Sequence, residues 1–141
     1  MGDTILVLRT VAADMTAYGG FVWPLSGVVE APDWSPEPQC GHGLHGLAWG
    51  EGDGSLLDWS PDAVWLVVEV PAAETVELDG KVKFPRGTVV HAGDRISSTA
   101  YMGARAPGRA VAGATVIVGD GGTATAGDYG TATAGFDGTA T

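Results

Sequence analysis

The chain has 141 residues, 45% of them hydrophobic and 17% charged, which suffices for one folded domain with a modest core. Its 17 acidic and 7 basic residues give a formal net charge of −10, which argues against nucleic acid and against an anionic membrane surface as partners. The single cysteine, Cys40, excludes an intramolecular disulfide.

Residues 1–10 (MGDTILVLRT) have no basic segment followed by an apolar block, so they predict a first strand and no signal peptide. No apolar run in the sequence is long enough to span a membrane. We therefore predict no membrane partner.

Residues 1–114 are predicted to form a small, β-rich globular head. The clearest strand is 63–70 (AVWLVVEV), which we expect near the middle of a sheet, and Asp79-Gly80 is typical of a hairpin turn. Three prolines in 31–39 predict an ordered loop. Further strands are predicted at 4–11, 21–23, 28–30, 75–78, 81–84 and 88–91, and short helices at 55–59 and 100–105.

All five tryptophans lie between Trp23 and Trp65. Clustered tryptophan in a small β domain usually indicates packing of the core and its loops, and this is the interpretation that we favour. The alternative is an aromatic binding surface in the loops around Trp23, Trp34 and Trp49.

Cys40, His42 and His45 form the one constellation that could carry chemistry, with the spacing C-x-H-x-x-H. Together with His91 they could bind a ligand, hold a zinc ion or supply a reactive Cys-His pair. Structural zinc sites usually pair two closely spaced ligand sets, and the sequence offers no second set. We favour a glycine turn in which Cys40 is buried and His45 bonds locally, and we predict no cofactor, no metal and no catalytic residue.

Residues 115–141 form an octapeptide repeat, TVIVGDGG, TATAGDYG, TATAGFDG and TAT. Threonine recurs at positions 1 and 3 of the octad, and glycine recurs at positions 5 and 8. Three consecutive registers without an insertion favour an ordered repeat over a disordered Gly/Ala/Thr tail.

The octad predicts four residues of strand followed by four of turn. Because side chains alternate along a strand, the threonines share one face and the alanines the other, over a narrow core. One octad cannot close around a core but two can, so we predict a thin β-solenoid with 16 residues per coil. Thr123 then lies over Thr139, and Val116 and Val118 point inward where the head meets the first coil.

The segments AGDYGTAT (126–133) and AGFDGTAT (134–141) resemble the octapeptide of bacterial ice-nucleation proteins, which has Ala-Gly, an aromatic residue, Gly and Thr-x-Thr. The resemblance implies a flat β-solenoid whose Thr-x-Thr rows order water into an ice-like lattice. The aromatic residue changes place here, from position 7 at Tyr129 to position 6 at Phe136. The implied surface residues are Thr123, Thr125, Thr131, Thr133, Thr139 and Thr141.

The head resembles an N-terminal domain of unknown function that precedes glycine- and threonine-rich repeats in proteins of actinobacterial phages and their hosts. The resemblance is carried by GGFVWPLSGVVEAPDW (19–34), CGHGLHGLAWGEG (40–52), VWLVVEV (64–70) and DGKVKFPRGTVVHAGD (79–94). It implies a head followed by a solenoid, and a location in the cytoplasm or in a virion.

We interpret the chain as a non-enzymatic structural or binding protein. The head is expected to cap and nucleate the solenoid, whose threonine rows serve self-association, surface binding or the ordering of water or ice. Because no polar cap follows Thr141, we expect the natural protein to continue beyond it, or the open edge to pair with a second copy. The alternative function is a small enzyme or ligand-binding domain around Cys40, His42 and His45, with the repeat as a spacer.

Overall fold

The computed structural model describes residues 3–17, 20–119, 121–135 and 138–141, so Phe136 lies outside the described residues. Eleven strands and one α-helix are found among them, together with single turns of 3₁₀ helix at Gly54–Leu56 and Ala72–Glu74. The head contains strands β1 Thr4–Val11, β2 Gly27–Glu30, β3 Leu44–Ala48, β4 Val64–Pro71, β5 Val76–Leu78, β6 Lys81–Phe84 and β7 Arg86–Gly93, then helix α1 Arg95–Arg105. The repeat contains β8 Thr115–Ile117, β9 Thr123–Ala124, β10 Thr131–Thr133 and β11 Thr139–Ala140.

The head is built on one seven-stranded sheet in the order β2-β7-β4-β1-β3-β6-β5. Every pairing within it is antiparallel, and β1 pairs with β4 along its whole length, from Thr4↔Pro71 to Val11↔Val64. The predicted mostly β class is confirmed. The predicted 63–70 strand is β4, an interior strand as expected, because its β-branched residues can be buried on both faces.

Alternation along the strands places one hydrophobic cluster on each face of the sheet. Leu6 and Leu8 of β1 belong to one cluster, and Val7 and Val11 belong to the other. Helix α1 and the segment after it complete the first cluster through Met102, Val111, Ala112 and Ala114. Loop residues complete the second cluster, which includes Trp23, Val29, Phe84 and Val89.

Helix α1 begins earlier than the predicted 100–105 segment. The Asp94 carboxylate accepts a hydrogen bond from the Ser97 amide at 2.8 Å and so caps the helix. The Ser98 hydroxyl is fully buried and donates to the Trp65 carbonyl at 3.0 Å, which fastens the helix to the sheet. No helix among the described residues is long and apolar enough to cross a membrane.

The repeat forms parallel strand pairs with a constant offset of 16 residues. β10 pairs with β8 in the register Thr131↔Thr115, and β11 pairs with β9 in the register Thr139↔Thr123. Each pair is a separate two-stranded sheet. Consecutive octads therefore lie in alternate sheets, and octads 16 residues apart pair with each other.

The same stacking also includes residues 110–114, which the sequence prediction placed in the head. The Gly127 amide donates to the Val111 carbonyl, and the Gly113 amide donates to the Asp128 carbonyl, both at 2.8 Å. The Thr131 amide continues the ladder to the Ala114 carbonyl at 2.7 Å. We refer to residues 110–125 as the first coil and to residues 126–141, which are hydrogen-bonded to them, as the second coil.

Three predictions for the head need correction. β3 is a strand where only a glycine turn was predicted, and 55–59 contains only the short 3₁₀ turn Gly54–Leu56. The predicted strand 21–23 is reduced to an isolated bridge between Thr16 and Val22.

Candidate functional surface and the Cys-His turn

The threonine side chains of the repeat lie outside the coils. Thr123, Thr131, Thr133 and Thr139 are exposed, and Thr125 is half-buried. Ala124 between Thr123 and Thr125 is fully buried, as expected for a methyl group inside a narrow coil. The predicted arrangement of threonines outside and alanine inside is therefore present at 123–125, whereas Ala132 is half-buried and Ala140 is exposed.

Stacked coils bring equivalent threonines together. The Thr141 hydroxyl donates to the Thr125 hydroxyl at 3.2 Å, across the offset of 16 residues. In ideal strands threonines two apart are separated by roughly 7 Å, and neighbouring strands by about 4.8 Å. On the opposite sheet Ile117 replaces the third-position threonine and is 73% exposed, so this row begins with an apolar member.

The backbone of the head supports the start of the first coil. The Ala112 amide donates to the Gly50 carbonyl at 2.8 Å, at the turn that follows β3. Gly50 has φ of +74°, and a Cβ atom on it would lie 2.7 Å from Val111 Cγ1. A side chain at this position would therefore be strained and would displace the coil.

The head also holds the second coil from the side. The Gly54 amide donates to the Asp128 carboxylate at 3.1 Å, and the Trp59 and Tyr129 rings lie 4.7 Å apart. Trp59 is fixed by its own hydrogen bond from Nε1 to the Gly54 carbonyl, at 2.8 Å. Asp128 and Tyr129 stand at the two variable positions of the octad, and sequence reasoning gave them no contact with the head.

The Cys-His turn is only partly as predicted. Cys40 is exposed, which corrects the expectation that it is buried, and its Sγ lies 3.1 Å from Lys81 Nζ. His45 does bond locally, because its Nε2 accepts from the Gly41 amide at 3.2 Å. Burial, then the positive charges of Lys81, Arg9 and Lys83, lower the pKa of His45 to about 4, although Asp33 opposes them. The imidazole is therefore neutral at pH 7.

His42 and His91 do not join His45 in one site. His42 is exposed, with Nδ1 3.7 Å from an Asp33 carboxylate oxygen. His91 lies on β7, three strands from β3, and therefore roughly 14 Å away across the sheet. Its ring stacks on Tyr101, and its Nε2 is 3.2 Å from the Ser97 hydroxyl.

Within the described parts of the chain, no three His, Cys, Asp or Glu side chains converge in a group that could hold a metal ion. The ligand-binding or catalytic role of Cys40, His42, His45 and His91 stays a prediction.

Sequence reasoning missed the cations that surround the turn. Arg9 donates from Nη1 to the His45 carbonyl at 2.8 Å, and Lys83 donates from Nζ to the Gly41 carbonyl at 3.3 Å. Burial lowers the pKa of Arg9 to about 10. The alternation in Lys81-Val82-Lys83 was the available signal, since it puts both lysines on one face of a strand.

The tryptophans mainly pack the structure. Trp23 and Trp65 are buried, and Trp59 packs edge to face on Trp65 with ring centroids 5.2 Å apart. Trp34 and Trp49 are half-buried and lie under cations, with Lys83 Nζ 5.5 Å and the Arg109 guanidinium 5.0 Å from their ring centroids. The favoured interpretation of core and loop packing agrees with these positions.

An antiparallel β head that supports octapeptide coils defines a tandem-repeat protein with a folded N-terminal unit. The chain belongs to the family described as Domain of unknown function (DUF7666), whose model matches residues 5–101. The match ends within α1, so it concerns the head and none of the coils.

The chain is also similar to curated ice nucleation proteins. It is 44% identical over 102 residues to ice nucleation protein InaU of Pantoea ananas, covering 71% of this chain and 10% of that protein. It is 46% identical over 105 residues to an ice nucleation protein of Pseudomonas syringae, covering 73% and 9%. An ice nucleation protein of Xanthomonas campestris pv. translucens is 41% identical over 107 residues, covering 74% and 7%.

The similarity to ice nucleation proteins lies mainly in the head. The repeat from Thr115 makes up less than a fifth of the 141 residues, whereas the matches cover more than 70% of the chain, so most of the matched residues lie in the head. The sequence analysis placed this resemblance in the repeat alone. The actinobacterial phage or host setting stays a prediction.

The chain spans about a tenth or less of the length of these curated relatives. No solved structure matches the chain.

Proposed function

We propose that the head caps and nucleates a Thr-x-Thr β-solenoid, and that long arrays of its coils order water into an ice-like lattice. The observation that carries the proposal is the continuous backbone ladder from the head into the repeat. It runs from the Gly50 carbonyl to the Ala112 amide, and from Gly113 to Asp128. Similarity to ice nucleation proteins over most of the head supports the same function.

The need for a cap follows from the thinness of the coil. A single octad buries little more than alanine methyl groups, so an isolated first coil does not offset the loss of chain entropy. The head offers that coil a preformed carbonyl at Gly50 and an apolar face beside Val111 and Ala112. It also holds Asp128 and Tyr129 of the next coil, so two coils are ordered at once.

The threonine rows supply the water-ordering surface in this proposal. Their hydroxyls repeat at fixed spacings along and across the strands, and the β-branched side chain restricts the rotation of each hydroxyl. Two coils give too small a patch to stabilise an ice embryo, so the activity belongs to long arrays. Such arrays also present parallel strand edges, and we propose that they self-associate through them.

The proposal is tested by droplet freezing of full chains in which the octad that begins at Thr139 is completed and 2, 8 or 32 further coils of the TATAGDYG and TATAGFDG octads follow in register. Freezing temperature is expected to rise with coil number, because the ordered grid grows. A matched series carries valine for every outward threonine in the added coils, since valine keeps the shape and removes the hydroxyl. This series is expected to freeze with the buffer. Sedimentation velocity of the same samples measures self-association.

A freezing temperature that does not depend on coil number would contradict water ordering by the rows. The capping role is tested separately, with Tyr129→Ala in the chain as it stands. This variant removes the tyrosine ring that packs against Trp59. It is expected to lower the stability of the coils by about 1 kcal/mol, measured by hydrogen exchange of the Thr131 amide. Unchanged exchange would contradict a side contact that orders the coils.

A further inference from the structure

Three of the seven basic residues of this acidic chain converge on the loop before β3. Lys83 is 1% exposed, faces His45 across the β3–β6 pair and donates only to the Gly41 carbonyl. Arg9 donates to the His45 carbonyl, and Lys81 lies against Cys40 Sγ. Positive charge is thus concentrated around one turn of a chain whose net charge is −10.

These cations have no carboxylate partner among the described residues. The ion pairs found there are His42–Asp33, Arg86–Glu74 and Arg109–Glu51. Arg9 Nε is the one buried side-chain nitrogen or oxygen without a hydrogen-bond partner in the described part of the chain. Arg9 and Lys83 each lie over an aromatic ring, that of Trp23 at 4.8 Å and that of Trp34 at 5.5 Å, but neither has a counter-ion in the described part of the chain, so a bound anion would stabilise both charges.

A cleft of about 580 Å³ opens beside this cluster. Arg9, Lys81 and Cys40 line its polar side, with Lys83 directly behind the lining residue Gly41. The lining also includes the apolar side chains of Leu47, Leu56 and Leu57. The size is that of a small-molecule site, and the lining combines cationic and apolar side chains, as an amphiphilic anion requires.

We propose that this cleft binds a small soluble organic anion, a carboxylate or phosphate monoester with a short apolar body, whose charged group is held by Arg9 and Lys81. The guanidinium fork and the ammonium suit the oxygens of either group, and the leucines accept the apolar body. A soluble ligand fits better than a lipid surface, because the chain as a whole carries a charge of −10 and an anionic bilayer would repel it. This site does not depend on the proposed function of the repeat.

The test is calorimetric titration of the full chain with hexyl phosphate, hexanoate, inorganic phosphate and hexan-1-ol. Saturable binding of hexyl phosphate or hexanoate is expected, with inorganic phosphate and hexan-1-ol each binding at least about 10-fold more weakly, because each lacks one half of the ligand. Lys81→Gln is expected to weaken binding by about 10-fold or more, because one charge-assisted hydrogen bond is removed. Arg105→Gln makes the same charge change at the exposed end of α1 and is expected to leave the affinity unchanged.

A second variant keeps the test decisive if Lys81→Gln disturbs the loop. Leu56 is 50% exposed in the apolar wall, so Leu56→Asp is expected to fold and to repel the anion. The proposal is overturned if neither anion saturates the chain below about 10 mM, an affinity too weak for a built site. It is equally overturned if hexan-1-ol binds as tightly as hexyl phosphate, or if both cleft variants bind like the parent chain. If the chain pelleted with phosphatidylcholine vesicles that contain phosphatidic acid, the ligand would be a lipid headgroup and not a soluble anion.

Discussion

The head and the coils are both β structures, yet they are stabilised in different ways. The head buries large side chains on two faces of a seven-stranded antiparallel sheet, among them Trp23, Phe84 and Leu8. The coils are short parallel pairs of two or three residues, and their buried side chains are small: Val111, Ala112, Ala114 and Ala124. In the proposed function the coils therefore depend on stacking, with the head as the first layer of the stack.

This difference assigns glycine two roles. In the coils, Gly127 lets backbone approach backbone, because a Cβ atom there would meet the Ala112 amide nitrogen at 2.7 Å. In the head, Gly46 lets strands β1 and β3 approach, since a Cβ atom would lie 2.8 Å from the Leu8 carbonyl. Glycine in the coils sets a repeated stacking distance, whereas in the head it solves one local contact.

The largest effect is expected from a change in the core of the head. Leu8 is fully buried in the cluster that also contains Val111 and Ala112 of the first coil. Leu8→Ala is expected to lower the free energy of unfolding by about 2–5 kcal/mol, through lost burial and the cavity that remains. Urea denaturation followed by tryptophan fluorescence measures the change, and Leu25→Ala, at a leucine that is 65% exposed, is the matched control.

The same variant tests whether the coils depend on the head. Hydrogen exchange at the Thr131 and Thr139 amides should accelerate together with exchange in the head, because the first coil shares the damaged cluster. If the coil amides kept their protection while the head opened, the coils would fold independently. The proposed dependence of the coils on the head would then be wrong.

A smaller and more local effect is expected from Gly127→Ala. The added methyl group would overlap the backbone at residues 110–112, and backbone cannot move aside as a side chain can. We expect a loss of about 1–3 kcal/mol in the stability of the coils, with the head unchanged. Exchange of the Thr131 amide is the measurement, and Gly119→Ala is the control, since no atom lies within 4 Å of its added Cβ. Equal effects of the two variants would contradict close stacking at Gly127.

The coil geometry could be predicted because it is periodic in the sequence. Position in the octad determines which residues stack, and the pairing Thr139↔Thr123 follows from two octads per coil. Residues 110–114 have the same stacking without the threonines of the octad, so the period did not reveal them. The docking of Asp128 onto Gly54 depends on where the head folds, which no local pattern contains.

Strands of the head could be predicted where the apolar pattern is strong, and the prediction failed where glycine is dense. β1 has the predicted bounds, and β4 differs by one residue at each end. β3 was missed because Gly41 and Gly43 just before it are typical of a turn, and the role of Gly46 in close strand approach could not be seen in the sequence. The sequence predicts that the two lysines of β6 share one face of the strand. It does not predict that the loop of residues 31–43 packs over them.

The smallest effect that we predict is a pH dependence of stability that arises in the head and not in the coils. All three histidines lie in the head, and His45 has a folded pKa of about 4. Between pH 6.5 and 4 the unfolded chain binds a proton at His45 that the folded chain does not, so the free energy of unfolding falls as pH falls. His45 makes no further contribution above or below this window. Because the imidazole is half-exposed, we expect a loss of about 1 kcal/mol.

His45→Gln should remove this loss, because the amide oxygen of glutamine can still accept from the Gly41 amide but does not titrate. The carboxyl pKa values of Asp53 and Asp58 are lowered by hydrogen bonds from Ser55 and Ser60. The stability that these two carboxylates contribute is therefore lost only near pH 4 and below. Unfolding curves at pH 7.5, 5.5 and 4.5 for parent and variant isolate the histidine. If the variant lost as much stability as the parent in this range, another group would be responsible. If coil exchange changed before head exchange, acid would act on the stacking itself and not through the head.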